Sequence, residues 1–350
     1  MTQDDLLIHL RQESQKKELS RRDFVRALSV ASAAAPALIT AGLTGFSLTN
    51  SQRAEASEAV VAGLGKLRKV KYGNRHGKMM VAPVCFSQDW NHDLFQPGLD
   101  LGINFIHKAG YFGNRVPDEF KNAPRDSFYC DTTVDTTSPG HNADDEEAAY
   151  NQVKGELERT GLKYFDVYRA HYGWHGPKAF NKGDNASYRA FTRLKKEGLV
   201  KYFGVSQHPY TDAGGDREQA WEKYVDIIDA EIASGLVDSM QVWFSYGYPK
   251  EAMNVFAKAS KAGIAMCAMK INAHGRGKMG ADKTKMEEMK APNMVGRSLL
   301  RYVMSQKRPD GKPIFHTCVT ALHNLQLFEE NVGGLSTKLA LNDNFDQFAF

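Results

Sequence analysis

The sequence has few of the features that mark several common classes of protein. Its four cysteines, Cys85, Cys130, Cys267 and Cys318, include no CxxC pair and lack the close spacing that holds zinc or an iron–sulfur cluster. Because each lies in an apolar run, we expect buried free thiols. The net charge is only +4, from 45 basic and 41 acidic residues whose signs alternate along the chain. This balance argues against nucleic acid as a partner.

The first 56 residues have the pattern of an export signal. The motif SRRDFV at residues 20–25 precedes an uncharged stretch at 27–50, and AEA at 54–56 has the spacing that a signal peptidase accepts. The paired arginines resemble the twin-arginine (Tat) signal, which carries folded proteins across the bacterial inner membrane. The alternatives are an uncleaved membrane anchor and a chance arginine pair. We therefore expect a signal region at 1–56, a periplasmic domain at 57–350, and no membrane association after cleavage.

Short apolar runs alternate with amphipathic helical patterns from about residue 69 onward. This alternation, repeated eight times over roughly 250 residues, predicts an α/β fold of the (β/α)8 barrel type. A doubly wound sheet is the alternative, but no GxGxxG motif follows the first strand. The predicted helices include residues 146–160, 188–196 and 249–261, and the predicted strands are residues 81–87, 104–109, 127–134, 165–171, 202–208, 239–245, 264–271 and 315–322.

Polar side chains stand at the ends of the predicted strands. Active sites in barrels lie at the carboxyl ends of the strands, so we expect these side chains to share one mouth. Three histidines, His107, His171 and His208, are among them, which is more than an apolar core requires. The others are Ser87, Gln88, Lys108, Tyr111, Asp131, Thr133, Tyr172, Ser206, Gln207, Tyr246, Lys270, Asn272 and Thr320.

Five motifs in the same order resemble the aldo/keto reductase family over residues 69 to 335. KYG, HGK and VAP at 71–83 resemble its first hairpin and strand, and LGINFI at 101–106 matches its "LGINFID" strand. ELERTGLKYFDVY at 156–168 follows "SLxRLGLDYIDLY", and KKEGLVKYFGVS at 195–206 resembles "LKxEGKIRYIGVS". EEN at 329–331 resembles the closing motif. The resemblance implies a (β/α)8 barrel and hydride transfer from a nicotinamide to a carbonyl.

Three of the four catalytic positions that the resemblance implies carry other residues here. In the family a tyrosine donates the proton, a lysine lowers its pKa, an aspartate pairs with the lysine, and a histidine orients the carbonyl. The aspartate position falls on His107, the tyrosine on Phe112 and the lysine on Thr133, whereas the histidine is kept as His171. Because Phe112 has no hydroxyl and Thr133 no cation, ordinary carbonyl reduction is not expected. Tyr111 is the candidate replacement acid.

The resemblance gives divided indications about the cofactor. It implies NADP(H), with contacts at Ser206, Gln207, Gln241, Arg276 and Asn331. Against NADP(H), VTAL at 319–322 replaces a glycine-containing turn, and Leu327 stands where many members have an arginine for the 2′-phosphate. Export adds an objection, because the periplasm has no free NADPH pool.

Two functions remain open on the sequence. In the first, His107, His171 and His208, with Tyr111 and Asp131, perform acid–base chemistry on a sugar or carbonyl compound, or bind a transition metal. No buried charge pair is then expected where the aspartate and lysine were lost. In the second, the barrel is a non-catalytic binding or accessory subunit of a periplasmic complex. The expected partners are a small-molecule ligand, the Tat machinery and, in the second case, another protein.

Overall fold

A computed structural model describes the central part of the chain. The described residues are 64, 66–87, 94–109, 123–135, 145–173, 185–209, 217–245, 250–271, 292–320, 328, 331, 332 and 335. The expected export signal, together with Tyr111, Phe112, Arg276 and Leu327, lies outside the described residues.

Seven parallel strands form the main sheet, in the sequential order β3 to β9. They are β3 Phe105–Ile106, β4 Tyr129–Asp135, β5 Phe165–Gly173, β6 Val200–Gln207, β7 Ser239–Trp243, β8 Ala265–Met269 and β9 Thr317–Cys318. A separate antiparallel hairpin precedes them, made of β1 Val70–Lys71 and β2 Met80–Val81.

Residues 83–86 close this sheet into a barrel. Cys85 forms a parallel bridge with Val319, just after β9, and Phe86 forms one with Ile106 in β3. The first predicted strand therefore takes the eighth place in the ring, although it pairs only through isolated bridges. The sequential order, the parallel pairing and this closure confirm the predicted (β/α)8 barrel.

Helices connect the strands and pack on the sheet, α2 against β4, α3 against β6 and α5 against β8. The helix bounds are α1 Phe95–Asp100, α2 Glu146–Thr160, α3 Ala186–Lys196, α4 Arg217–Ser234, α5 Lys250–Lys261 and α6 Pro292–Ser305. Helix α2 has the predicted bounds because the Asp145 carboxylate accepts the Ala148 amide at 3.0 Å and Gly161, at φ 71°, ends the helix. No helix within the described ranges is long and apolar enough to cross a membrane.

The barrel interior and the helix–sheet interface form one large apolar core. All four cysteines are buried free thiols, as expected. Burial raises the pKa of the Cys85 and Cys130 thiols, so neither is an ionised nucleophile at neutral pH.

The β1–β2 hairpin covers the amino-terminal end of the barrel, where its Arg75 guanidinium donates to the Val237 carbonyl oxygen at 2.7 Å. The His76 ring, only 1% exposed, lies 4.9 Å from the Tyr72 ring and 4.2 Å from the Tyr202 ring. Neither of its nitrogens has a hydrogen-bond partner among the described residues. Burial lowers the pKa of His76 to about 3, so this imidazole is neutral in the folded protein.

We predict that His76→Phe makes the protein less sensitive to acid. Below the ordinary pKa of 6.5 the unfolded chain takes up a proton at residue 76, whereas the folded protein does not until about pH 3. The wild type therefore loses stability as the pH falls through this window, by up to about 1.4 kcal/mol per pH unit from this residue. Urea unfolding between pH 7 and pH 4 measures this. The free energy of unfolding of the variant should rise relative to that of the wild type as the pH falls.

The matched control is Tyr202→Phe, which alters the same aromatic cluster without removing a histidine. Its unfolding free energy should run parallel to that of the wild type across the pH range. Parallel curves for His76→Phe as well would contradict the assignment of a neutral buried imidazole.

Candidate functional site

The parallel register brings polar residues of neighbouring strands together at the carboxyl end of the barrel. His171 in β5 pairs with Ser206 in β6, and Ser206 pairs with Gln241 in β7. Gln207 is the next residue of β6, and His208 follows directly. The predicted mouth therefore collects these side chains because each strand ends at the same level of the ring.

His171 and His208 contact each other at this mouth. Their Nε2 atoms are 3.2 Å apart and their rings are tilted by 71°. The His208 ring stacks on Trp243 at the end of β7, with centroids 5.4 Å apart and planes at 18°. Both histidines are half-buried. A hydrogen bond at this contact requires one Nε2 to be the donor and the other the acceptor. We refer to His171 and His208 as the mouth pair.

A second polar group lies deeper, around the Asp131 carboxylate of β4. His107 Nδ1 lies 3.0 and 3.1 Å from its two oxygens, and the Lys108 amide donates to Oδ1 at 2.5 Å. Arg169 of β5 donates from Nε to Oδ2 at 3.0 Å. Burial raises the pKa of Asp131, but His107, Arg169 and the Lys108 amide lower it more, to about 2. Asp131 is therefore a buried carboxylate at neutral pH.

Arg169 and Asp131 form a buried charge pair inside the barrel, at positions other than 107 and 133, for which no charge pair was expected. Arg169 is 0% exposed, and its Nη2 lies 2.9 Å from Asp131 Oδ2. Asp131 was a candidate at a strand end, but Arg169 was not. The sequence signal was the presence of charged residues within two predicted strands, YCDTTVD and FDVYRAHYG. Such residues require each other's charge when both are buried.

His107 is held at both ring nitrogens. Its Nε2 lies 3.2 Å from Nε2 of Gln241, on the side opposite Asp131. Burial lowers the pKa of His107, and Lys108 and Arg169 lower it further against the opposing effect of Asp131. A neutral ring donates from Nδ1 to the carboxylate and accepts at Nε2 from the Gln241 amide. We refer to Arg169, Asp131, His107 and Gln241 as the buried relay.

Thr133 supplies no charge to this site. Its side chain is buried, and its hydroxyl has no hydrogen-bond partner among the described residues. Its main-chain carbonyl accepts from Gln152 Nε2 at 3.1 Å, which ties β4 to α2.

Gln207 turns towards α4, where its side-chain amide donates to the Glu231 carboxyl. Glu231 is wholly buried, and burial raises its pKa to about 8, so the group is a neutral acid at neutral pH. Asn331, beyond β9, is also buried. Glu231 was not predicted, because one acidic residue in a polar helical segment gives no sign of burial.

The three histidines do not converge on one metal ion. Both nitrogens of His107 are engaged by Asp131 and Gln241. In the part of the chain that the structure describes, no three His, Cys, Asp or Glu side chains are grouped so that they could hold a metal. What remains of the expected three-histidine set is the contact between His171 and His208.

We predict that Glu231→Gln stabilises the protein relative to the wild type as the pH rises. The unfolded chain ionises this carboxyl above its ordinary pKa of 4.5, whereas the folded protein keeps the proton to about pH 8. The wild type therefore loses stability from pH 4.5 to pH 8, by up to about 1.4 kcal/mol per pH unit, and the amide variant does not. Urea unfolding at pH 5, 6.5 and 8 measures the difference.

Asp229→Asn, at an exposed position of the same helix, is the control. Its stability relative to the wild type should change far less over this pH range. If the free energy of unfolding of Glu231→Gln keeps a constant difference from that of the wild type from pH 5 to pH 8, Glu231 is ionised in the folded protein.

Comparison with known proteins agrees with this architecture. The model of the aldo/keto reductase family matches residues 92–341. An aldo-keto reductase from Bacillus halodurans has been solved in apo and holo forms, which are 15% and 14% identical in sequence to this chain. Both forms have a TM-score of 0.56, and each match covers 81% of this chain and 95% of the Bacillus chain. An aldo/keto reductase from Brucella melitensis has 16% identity and a TM-score of 0.50, with 81% and 98% covered.

At these identities the solved structures show the fold alone, and no curated protein matches the sequence significantly. The family match is independent of them and extends from the residues before α1 to beyond Asn331. It spans more than half of the 350 residues, so the chain belongs to the aldo/keto reductase family.

Proposed function

We propose that this protein is exported by the Tat system to the periplasm and performs histidine-based acid–base chemistry on a sugar or carbonyl compound. The observation that carries the proposal is the contact between His171 and His208. The family histidine is retained, and a second imidazole lies 3.2 Å from its Nε2. This contact supplies a proton donor and a proton acceptor at the barrel mouth. By resemblance, the sequence carries Phe112 and Thr133 at the family's tyrosine and lysine positions.

The chemistry of the mouth pair supports this role. Imidazole is the side chain whose ordinary titration lies closest to neutral pH, so it can take up and release protons in one cycle. Both rings are half-buried, which leaves them within reach of a ligand in the mouth. The flat stacking of His208 on Trp243 holds the orientation of this ring at the mouth. In the family, the histidine that His171 resembles orients the carbonyl of the substrate.

The described residues do not fit NADP(H) in the family's manner. Ser206, Gln207 and Gln241 are adjacent, as the resemblance implies, but each is buried. The amide of Gln207 is engaged by Glu231 and that of Gln241 by His107. A nicotinamide carboxamide that accepted a hydrogen bond from either glutamine amide would have to displace the contact which that amide now makes. We therefore assign no step to a nicotinamide, and the proposed chemistry is proton transfer.

We predict that the mature protein catalyses exchange between solvent and the hydrogen on the carbon next to a carbonyl group. No redox cofactor should be needed. The assay follows deuterium incorporation from D2O into a panel of keto sugars and simple ketones by NMR. His171→Ala and His208→Ala should each slow the exchange by about 100- to 10,000-fold, the usual contribution of a general acid or base. His76→Phe, at the opposite end of the barrel, should leave it unchanged.

Other outcomes separate the alternatives. NADPH-dependent carbonyl reduction that survives His208→Ala would overturn the proposal in favour of family chemistry. Stoichiometric zinc, copper or iron in elemental analysis, lost in His171→Ala, would replace proton transfer with a metal site. Absence of exchange, bound cofactor and bound metal would favour the accessory-subunit function.

A further inference from the structure

We propose that Arg169 is a positioning residue. It holds Asp131 as the charged acceptor for His107, so that His107 is neutral with its proton on Nδ1, and His107 in turn fixes the side-chain amide of Gln241. The inference concerns the buried relay and does not require the mouth pair to be catalytic.

Arg169 is anchored on three sides. Its Nε and Nη2 lie 3.0 and 2.9 Å from the same oxygen of Asp131. Its Nη1 donates to the Val205 carbonyl oxygen at 3.2 Å and to the Ser239 hydroxyl at 3.3 Å. The Ser239 hydroxyl also contacts the Tyr72 hydroxyl at 3.2 Å. The guanidinium is therefore fixed to β6 and β7 as well as to the carboxylate, which leaves Asp131 no freedom to turn away from His107.

The neighbouring strand leaves room for this side chain. A Cβ added at Gly204 of β6 would lie 3.4 Å from Arg169 Nη1 and 2.9 Å from Val167 Cγ1. Any larger residue at Gly204 would therefore press on the guanidinium and on the valine beneath it. The absence of a side chain at Gly204 therefore leaves the space that the large side chain of Arg169 occupies.

The position of Arg169 relates directly to the lost lysine. In the register between β4 and β5, Thr133 is the partner of Arg169. The positive charge that the family places at position 133 thus reappears on the adjacent strand, directly across from it. The buried pair has moved one strand around the barrel, from β3 and β4 to β4 and β5.

The charges around His107 explain why the ring stays neutral. Asp131 is the anion that faces it, and Arg169 and Lys108 are the cations. The nearby Tyr72 and Cys85 are uncharged, because burial raises the pKa of both. Arg169 already balances Asp131, so a proton on Nε2 of His107 would add a second buried positive charge without a counter-ion.

A neutral His107 determines the orientation of Gln241. With the Nδ1 proton donated to Asp131, Nε2 is an acceptor, and only the NH2 end of the Gln241 amide can donate to it. The side-chain carbonyl oxygen of Gln241 makes no contact within the relay, so it is the acceptor that a ligand can use. Such a ligand must offer a hydroxyl or N–H donor at this point.

We predict the proton positions directly by NMR. Long-range proton–nitrogen spectra of the full chain labelled with ¹⁵N-histidine, assigned with His107→Gln, should show His107 as the neutral Nδ1-protonated tautomer at pH 7. In Arg169→Met the pKa of His107 should rise by more than one pH unit, because the carboxylate loses its other cation. Arg169→Lys keeps the positive charge, so the pKa of His107 in this variant should stay close to the wild-type value.

The matched control is Arg125→Met, which breaks the pair between the half-buried Arg125 and the buried Asp166, at 2.7 Å and outside the relay. It should leave the His107 signals unchanged. Two results would overturn the inference: an imidazolium or Nε2-protonated His107 in the wild type, or an unaltered His107 in folded Arg169→Met. The wild-type spectrum decides the matter even if Arg169→Met does not fold. Deuterium exchange by the mouth pair is a separate readout, so the two proposals fail independently.

Discussion

The ionised carboxylate of Asp131 is the group on which the interior of this barrel depends. A buried negative charge is costly unless it is paired and fully hydrogen-bonded. Asp131 meets both conditions, because Arg169, His107 and the Lys108 amide all contact it. These contacts join β3, β4 and β5 at one level, so one carboxylate sets the arrangement of three neighbouring strands and of the residue that follows β3.

The same carboxylate shows how the interior avoids an unpaired charge. Asp131 and Arg169 contribute one charge of each sign, and both are buried. Removing either partner alone would leave an uncompensated buried ion, which typically costs about 3–5 kcal/mol. The two charged residues of the relay therefore depend on each other.

Much of the fold follows from the sequence, because period and spacing determine it. The apolar runs placed the strands, and the capping residues Asp145 and Gly161 placed both ends of α2. Helix α3 begins two residues earlier than predicted, because Asn185 accepts the Tyr188 amide and so caps the helix from position 185. Local patterns of this kind are visible in one segment of sequence. They require no knowledge of which strands become neighbours.

The site could be predicted only in part, because its contacts depend on pairs of residues far apart in the chain. The strand ends correctly brought His171 and Ser206 together. Gln241, which is the partner of Ser206 in the next strand, was indicated only by the family resemblance. The Arg169–Asp131 pair depends instead on the register of β4 and β5 and on side chains inside the ring. A charged residue within an apolar strand is the one local sign of such a pair, and it does not name its partner.

Burial also distinguishes the histidines of this barrel from one another. His76 and His316 lie at the closed end of the barrel, and burial lowers their pKa to about 3 and about 4. His107 is buried within the relay, with both nitrogens engaged. Of the five histidines that the structure describes, His171 and His208 are the two that are half-buried rather than enclosed. A ligand in the mouth can therefore reach these two imidazoles, whereas the protein encloses the other three.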